Sequence, residues 1–281
     1  MQSKSVIGCL ANDRTHSTST AMVDTEELAR GYTLANHTQQ DAGIFLLQRL
    51  EIARSMRVLD VGCGPGDLTA RIAELVGENG SVVGIDPSKE RIAIAIDERA
   101  KRNTSFQIGR AEDLAQFPSA SFDVLFVNST LHWVADQPAA LMEFGRVLRP
   151  GGRLGISGAS GDFIAAHERI KADVLSRNPY RMYPEQSPPK FLKKLELEGL
   201  LDKAGFHERD IMIRRIIKSA EGADAMINWL DTSSSGKTYG GIPQELRPKA
   251  REEMKHEWDK LTTKDGIQME MEVLVTIAIR D

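Results

Sequence analysis

LDVGCGPGD, residues 59–67, sets Gly62, Gly64 and Gly66 at alternate positions between Asp60 and Asp67, immediately after an apolar run. An apolar run, a glycine loop and then DLTARIAELVG (67–77) predict a short strand RVLDVG (57–62), a tight turn and an amphipathic helix closed by glycine. Glycine lets the backbone turn sharply and lets a ligand come close, and the free N–H groups of the helix start favour a carboxylate or phosphate. A plain tight turn would use the same residues, so the flanking sequence has to decide.

Outward from the loop the chain alternates. SVVGID (81–86) reads as a strand and SKERIAIAIDERAKR (88–102) as a helix with Ser88 as N-cap; Arg91 in its first turn completes no capping pattern. SFQIGR (105–110) and FDVLFVNS (122–129) are strands, QPAALMEFGRVLRPGG (137–152) is a helix closed by Pro-Gly-Gly, and RLGISG (153–158) is a further strand. This βα alternation predicts an α/β fold with a mostly parallel, doubly covered sheet and right-handed crossovers. After Gly158 the pattern loosens: 188–206 reads as a helix, 210–217 as a strand, 219–266 as interrupted helix and 272–280 as a closing strand. The expected organisation is a flexible tail (1–23), N-terminal cap helices (24–54), a ligand-binding core (55–158), and the rest of the sheet with a helical cap insertion (159–281).

Composition narrows the function classes. The chain has 281 residues, 41% hydrophobic content and a net charge of -4, with no broadly basic character to suggest nucleic acid as the partner. Cys9 and Cys63 are its two cysteines, so no disulfide framework or zinc-type cluster is visible and a reducing compartment fits. Apolar stretches are too short for a membrane span, and VIGCLA (6–11) is too short for a signal peptide, so the expected setting is cytoplasmic.

A dinucleotide fingerprint wants G-x-G-x-x-G, but counting from Gly62 its third glycine falls on Asp67, which would repel a pyrophosphate. The acidic flanks suit a ligand with cationic centres and hydroxyls. In order, VLDVGCGPGDLT, GIDPS, RAEDL, FDVLFVNSTLHWV and RVLRPGGRL resemble a class I S-adenosylmethionine (SAM)-dependent methyltransferase over residues 57–158. That resemblance implies a Rossmann-like seven-stranded sheet with the last strand antiparallel, SAM as cofactor and S-adenosylhomocysteine (SAH) as product. Residue by residue it implies that Asp60 holds the ammonium end of the methionine moiety and that the loop of Gly62, Cys63, Gly64 and Gly66 approaches the cofactor closely. Asp86 takes both ribose hydroxyls, Pro87 and Ser88 line the adenine edge, Ala111, Glu112 and Asp113 face the adenine amino group, and Asn128 and Ser129 lie near the methionine moiety. Tyr32 would close over the cofactor; the bland alternative is simple packing.

STLHWVAD (129–136) follows the fourth strand, beside the methyl group in such a fold. His132 would orient an acceptor or take its proton, and Trp133 would wall the sulfonium; for both, core packing is the competing reading. LHWV, RPGG and the tail DAMINWL…TYGGIP…VLVTIAIR are most similar to the trans-aconitate and juvenile-hormone-acid methyltransferase type, although the usual WD-x-x-x-Y opening is missing. The implied acceptor is a small molecule, with carboxylate O-methylation preferred, needing no strong base because an acid is already ionised at neutral pH. Arg177, Arg181 and Lys237 are the cap cations available to recognise an acid, and Trp229, Tyr180, Tyr183 and Tyr239 are its candidate pocket aromatics. No metal is expected, and oligomeric state is not legible. The rivals are transfer to sulfur, phenol oxygen or nitrogen of a metabolite, and SAM binding without turnover. Methylation of a nucleic-acid base is disfavoured, because NPY (178–180) lacks the second proline of that signature and follows the fifth strand.

Overall fold

A computed structural model of the chain describes residues 24–185 and 187–281, so the tail expected over 1–23 lies outside the described residues. Two helices come first, α1 (Glu26–Ala35) and α2 (His37–Leu50). The core follows as β1 (Arg57–Val61), α3 (Asp67–Val76), β2 (Ser81–Asp86), α4 (Lys89–Arg99), β3 (Thr104–Ile108), β4 (Phe122–Asn128), α5 (Gln137–Val147) and β5 (Leu148–Ala159). Then come α6 (Ala166–Leu175), α7 (Lys194–Lys203), β6 (Glu208–Ala220), α8 (Ala223–Ser233), α9 (Arg247–Asp259) and β7 (Ile267–Ile279).

The seven strands form one sheet in the order β3-β2-β1-β4-β5-β7-β6, parallel except for β7, which runs antiparallel to both β5 and β6. Residues alternate between its faces. Val58, Val82, Val124 and Phe126 pack with Leu46 and Leu50 of α2 and Ile72 and Val76 of α3. Leu59, Val61, Ile85, Leu125 and Val127 pack on the other side with Leu141 and Phe144 of α5 and Leu197 and Leu201 of α7. Burial on both faces is why these strands read as continuous apolar runs rather than as alternation.

Helix starts and stops follow local chemistry. Ser88 Oγ accepts the Arg91 N–H at 3.2 Å and Asp136 Oδ1 accepts the Ala139 N–H at 3.0 Å, capping α4 and α5. α5 stops at Val147, before Arg-Pro-Gly-Gly, so those residues open β5 rather than close the helix. The helix read over 188–206 contracts to α7, and β6 and β7 are longer than their alternation indicated. Beyond β5 the β6–β7 ribbon continues alone, pairing Arg215–Ala220 with Ile267–Glu272. Its Ile267 and Met269 enter a separate apolar cluster with Ile170 and Val174 of α6, Met226 and Trp229 of α8, and Met254 and Trp258 of α9. That cluster is the core of the helical cap. No helix among the described residues is long and apolar enough to cross a membrane.

Candidate active site

Strand order reverses between β1 and β4, and the crevice at the carboxyl ends of the strands there is where open α/β sheets take ligands. A cavity of about 760 Å³ opens at that point and runs up under the cap. On the expectation from the sequence, its half at the strand ends is the donor half and its half under the cap is the acceptor half.

The donor half comes from loops that end β1, β2, β3 and β4. Gly62 and Gly64 line it with positive φ of 74° and 55°. A Cβ on Gly62 would lie 2.1 Å from Thr130 Oγ1, so the turn admits no side chain there. Cys63, buried beside them, also lines the cavity, and burial pushes its thiol well above the usual range. Gly66 is not in the lining. It is the left-handed N-cap of α3 (φ 86°), and a Cβ there would meet the Phe106 ring at 2.9 Å, so it serves helix–sheet packing.

Asp60 and Asp86 are buried at the ends of their strands and both line the cavity. Asp60 Oδ2 accepts the Thr69 hydroxyl at 2.6 Å. Burial raises the Asp60 carboxyl to about 7, outweighing the hydrogen bond that lowers it. Asp86 accepts the Gly64 N–H at 3.0 Å and the Ser88 N–H at 2.9 Å, which fixes its carboxylate across the glycine loop. Its pKa is also raised, chiefly by burial. Pro87, Ala111, Glu112, Asn128 and Ser129 all line the cavity. Ser129 holds φ at 53°, a left-handed conformation uncommon for a non-glycine residue, right at the end of β4. Asp113 is exposed and absent from the lining, because it turns back to accept the Ala115 N–H.

Tyr32 lines the cavity from α1, and Gly64 faces its ring. The guanidinium of Arg91 sits over that ring at 4.5 Å, and Arg91 Nε donates to Asp24 Oδ2 at 2.6 Å. Arg91 and Asp24 were not expected at the site; helical spacing alone puts Arg91 among the polar residues of α4. Three buried acceptor oxygens on the lining, Asp24 Oδ1, Asp67 Oδ2 and Asn128 Oδ1, have no hydrogen-bond partner among the described residues. Acidic groups with unpaired acceptors fit a ligand that carries cationic nitrogen, hydroxyls and a sulfonium.

The acceptor half is lined by His132, Trp133, His167, Glu168, Phe191, Trp229 and Lys237, with Met254, Trp258 and Met271 extending an apolar wall. His132 lies 5.1 Å from the Trp133 ring and 5.2 Å from the Phe191 ring. Burial lowers its pKa to about 4, so its imidazole is neutral at physiological pH. His167 Nε2 is 3.2 Å from Glu168 Oε1, and its ring meets the Trp229 ring edge-on at 6.2 Å. The Glu168 carboxyl, which burial alone would raise, ends below its usual range through His167 and neighbouring charges. Lys237 Nζ stands 5.1 Å from the Trp133 ring centroid, and burial lowers its pKa.

Several expected acceptor residues do not reach this cavity. Tyr239 is buried with its hydroxyl donating to Asp231 Oδ2 at 3.1 Å, and is absent from the lining. Arg177 is taken up by Asp173, Glu253 and Glu257. Tyr180 donates to Glu253 Oε1 at 2.8 Å, and Arg181 and Tyr183 also lie off the lining. His167, Glu168 and Phe191 were missed, since a single HisGlu pair and a lone Phe carry no motif.

A family profile described as "Methyltransferase domain" matches residues 52–205, more than half of the chain. The chain belongs to this methyltransferase family. Its donor is SAM, and its activated methyl is what the bound cofactor supplies. The methyltransferase is 34% identical over 167 residues to the O-methyltransferase cnsE of Penicillium expansum, a match covering 58% of this chain and 56% of that protein. It is 37% identical over 188 residues to the ubiquinone/menaquinone biosynthesis C-methyltransferase UbiE of Proteus mirabilis, covering 58% of this chain and 71% of the relative. Among solved structures, the YcgJ protein of Bacillus subtilis superposes with a TM-score of 0.62 at 18% identity, over 86% of this chain and 98% of that one, which supports the fold.

Proposed function

We propose that the methyltransferase transfers the SAM methyl to a carboxylate oxygen of a small organic acid, in the manner of the trans-aconitate and juvenile-hormone-acid enzymes. The observation that carries this reading is Lys237. It is a half-buried ammonium on the cavity lining, beside Trp133, with no ion pair shown among the described residues. Burial and the neighbouring Arg110 and Arg91 outweigh Glu185 and Asp24, which offset part of its charge, and keep the ammonium destabilised, a cost that an anionic acceptor would relieve.

In this reading Asp86 receives the ribose hydroxyls, Asp60 and Asn128 face the ammonium end, Gly62 and Gly64 give close backbone approach, and Ala111 and Glu112 border the adenine. Trp133 and Phe191 flank His132, whose neutral ring adds no positive charge to repel a sulfonium. Lys237 holds the acid, and the apolar wall of Trp229, Met254 and Trp258 takes the body of the molecule. The residues align the acceptor oxygen for in-line displacement and exclude water, and an ionised acid needs no base.

A second reading is favoured by His132 itself: a neutral imidazole is competent to take a proton from a phenol or thiol. An O-methyltransferase among the relatives is compatible with transfer to either kind of oxygen, and a C-methyltransferase relative adds carbon as an acceptor in this family. Transfer of labelled methyl from SAM to a panel of carboxylic acids, phenols, thiols and amines decides between them. Methyl ester is the expected product; an aryl ether, thioether or methylamine as the sole product would sink the carboxylate reading.

A further inference from the structure

Arg91 was unremarkable in the sequence and is one of the most connected side chains around the donor half. Its side chain is 11% exposed. Its backbone is tied to the donor site: Arg91 N–H donates to Ser88 Oγ, and Ser88 N–H donates to Asp86 Oδ1. Its guanidinium then reaches two segments that are far apart in the chain. Nε donates to Asp24 Oδ2 just before α1, Cζ lies over the Tyr32 ring within α1 at 4.5 Å from its centroid, and Nη2 donates to Ser235 Oγ at 2.8 Å and to Thr232 O at 3.4 Å at the end of α8.

Those segments are the roof of the cavity. Asp24, Tyr32, Ser235 and Lys237 all belong to its lining. Ser235 holds φ at 52°, so the turn carrying Lys237 sits in a conformation a serine does not prefer; backbone hydrogen bonds and the Ser234–Thr238 hydroxyl pair at 3.0 Å hold it from within, and the hydrogen bond from Arg91 ties it to α4. A planar guanidinium suits this work because its five donors point in fixed directions and it stacks on an aromatic face, whereas an ammonium is a point charge.

We propose that Arg91 is a positioning residue that latches both halves of the roof, α1 with Tyr32 on one side and the 232–237 turn with Lys237 on the other, to the helix that begins beside Asp86. Opening the site for cofactor exchange requires this latch to release. Closing it sets Tyr32 over the glycine loop and Lys237 beside Trp133 in the same event. Arg91 thereby couples the donor and acceptor halves, alongside the direct packing of Gly31 on Thr232 and the hydrogen bond from Gln39 Nε2 to Ser233 Oγ at 3.0 Å. The inference rests on the donor lying at Asp86 and not on the identity of the acceptor.

The test uses the full chain with SAH as the probe. Calorimetry gives affinity, stopped-flow gives SAH dissociation, and hydrogen–deuterium exchange follows residues 26–35 and 232–239. In the wild type, SAH should slow exchange in both segments together. Arg91→Lys keeps the charge and loses the fork; it should raise the SAH Kd and its dissociation rate about tenfold, the loss expected for one charge-assisted hydrogen bond, and abolish protection in both segments. Guanidinium chloride at low millimolar concentration should restore part of the affinity to Arg91→Ala, which a merely structural defect would not allow. Should the Arg91 variants fail to fold, Asp24→Asn and Ser235→Ala carry the test, each expected to loosen both segments. SAH affinity within twofold of wild type with protection intact would overturn the latch, as would protection lost in one segment alone. Wild-type protein that binds no SAH would remove the donor assignment as well; wild-type binding that Asp86→Ala leaves unchanged would remove the Asp86 placement and, with it, the premise of the latch.

Discussion

Between Asp60 and Asn128 the donor half of the cavity is assembled from short loops, each at the end of a strand and each holding its residues a fixed step from the sheet. The acceptor half draws on the turn after β4, the start of α6, the segment before α7, one face of α8, the turn after it and one face of α9. The first is an arrangement of backbone, in which glycine loops and strand ends set distances. The second is an arrangement of packing, in which helices from separate stretches of chain meet over the sheet. The difference shows where the chemistry is constrained: one donor demands one cradle, while a packed cap is free to present different side chains to different acceptors.

The largest expected effect tests the donor half. Asp86→Ala removes a carboxylate placed by two backbone N–H groups. SAH affinity by calorimetry should fall about 100-fold, the equivalent of two lost hydrogen bonds at ~1.5 kcal/mol each. A loss below threefold would break the assignment of this residue to the ribose. The acceptor half is tested next by Lys237→Met. The kcat/KM for a carboxylic acid identified in the transfer panel should fall about tenfold or more, with SAH affinity within twofold. An equal loss for neutral acceptors would mean that Lys237 shapes the turn rather than holds the acid.

A smaller effect follows from Asp60. Its folded pKa of about 7 lies above the ordinary 3.8, so the folded protein without ligand holds this proton more tightly than the unfolded chain. Its contribution therefore favours folding least above pH 7, and stability from this group declines as pH rises from about 4 to about 7. A ligand bearing an ammonium favours the ionised carboxylate. SAH binding should release a proton, and its affinity should rise about tenfold between pH 6 and pH 8. Asp60→Asn should flatten that profile; an unchanged profile in this variant would place the ammonium elsewhere. The smallest effect sharpens the boundary of the donor half: Asp113→Ala should leave SAH affinity within twofold, because its side chain is engaged with Ala115 and off the lining.

That Asp60, Asp86 and Asn128 would reach the crevice at the strand ends was legible, because a strand-end residue in a parallel sheet has one place to go. The turning away of Asp113 was not legible, since it lies five residues past the end of β3, far enough for the chain to turn and point the carboxylate away from the cavity. Gly66 read as part of the ligand loop, yet its missing side chain is required by Phe106 on a neighbouring strand, a contact made only in the fold. Tyr239 and Trp229 were equally good aromatic candidates; the hydrogen bond to Asp231 takes the first out of the lining, and α8 carries the second into it. His167 and Arg91 had no signal, because their partners are supplied by elements whose approach periodicity does not encode.

The sequence by itself determined the α/β alternation, the glycine loop, the acidic strand ends and the family, because these depend on neighbours a few residues apart and on the reach of short loops. Only the tertiary structure decided which cap residues line the cavity, which are spent in ion pairs such as Arg177, and that one arginine joins Asp24, Tyr32 and Ser235. Those choices rest on how helices pack over the sheet, and packing sums many weak contacts between distant parts of the chain.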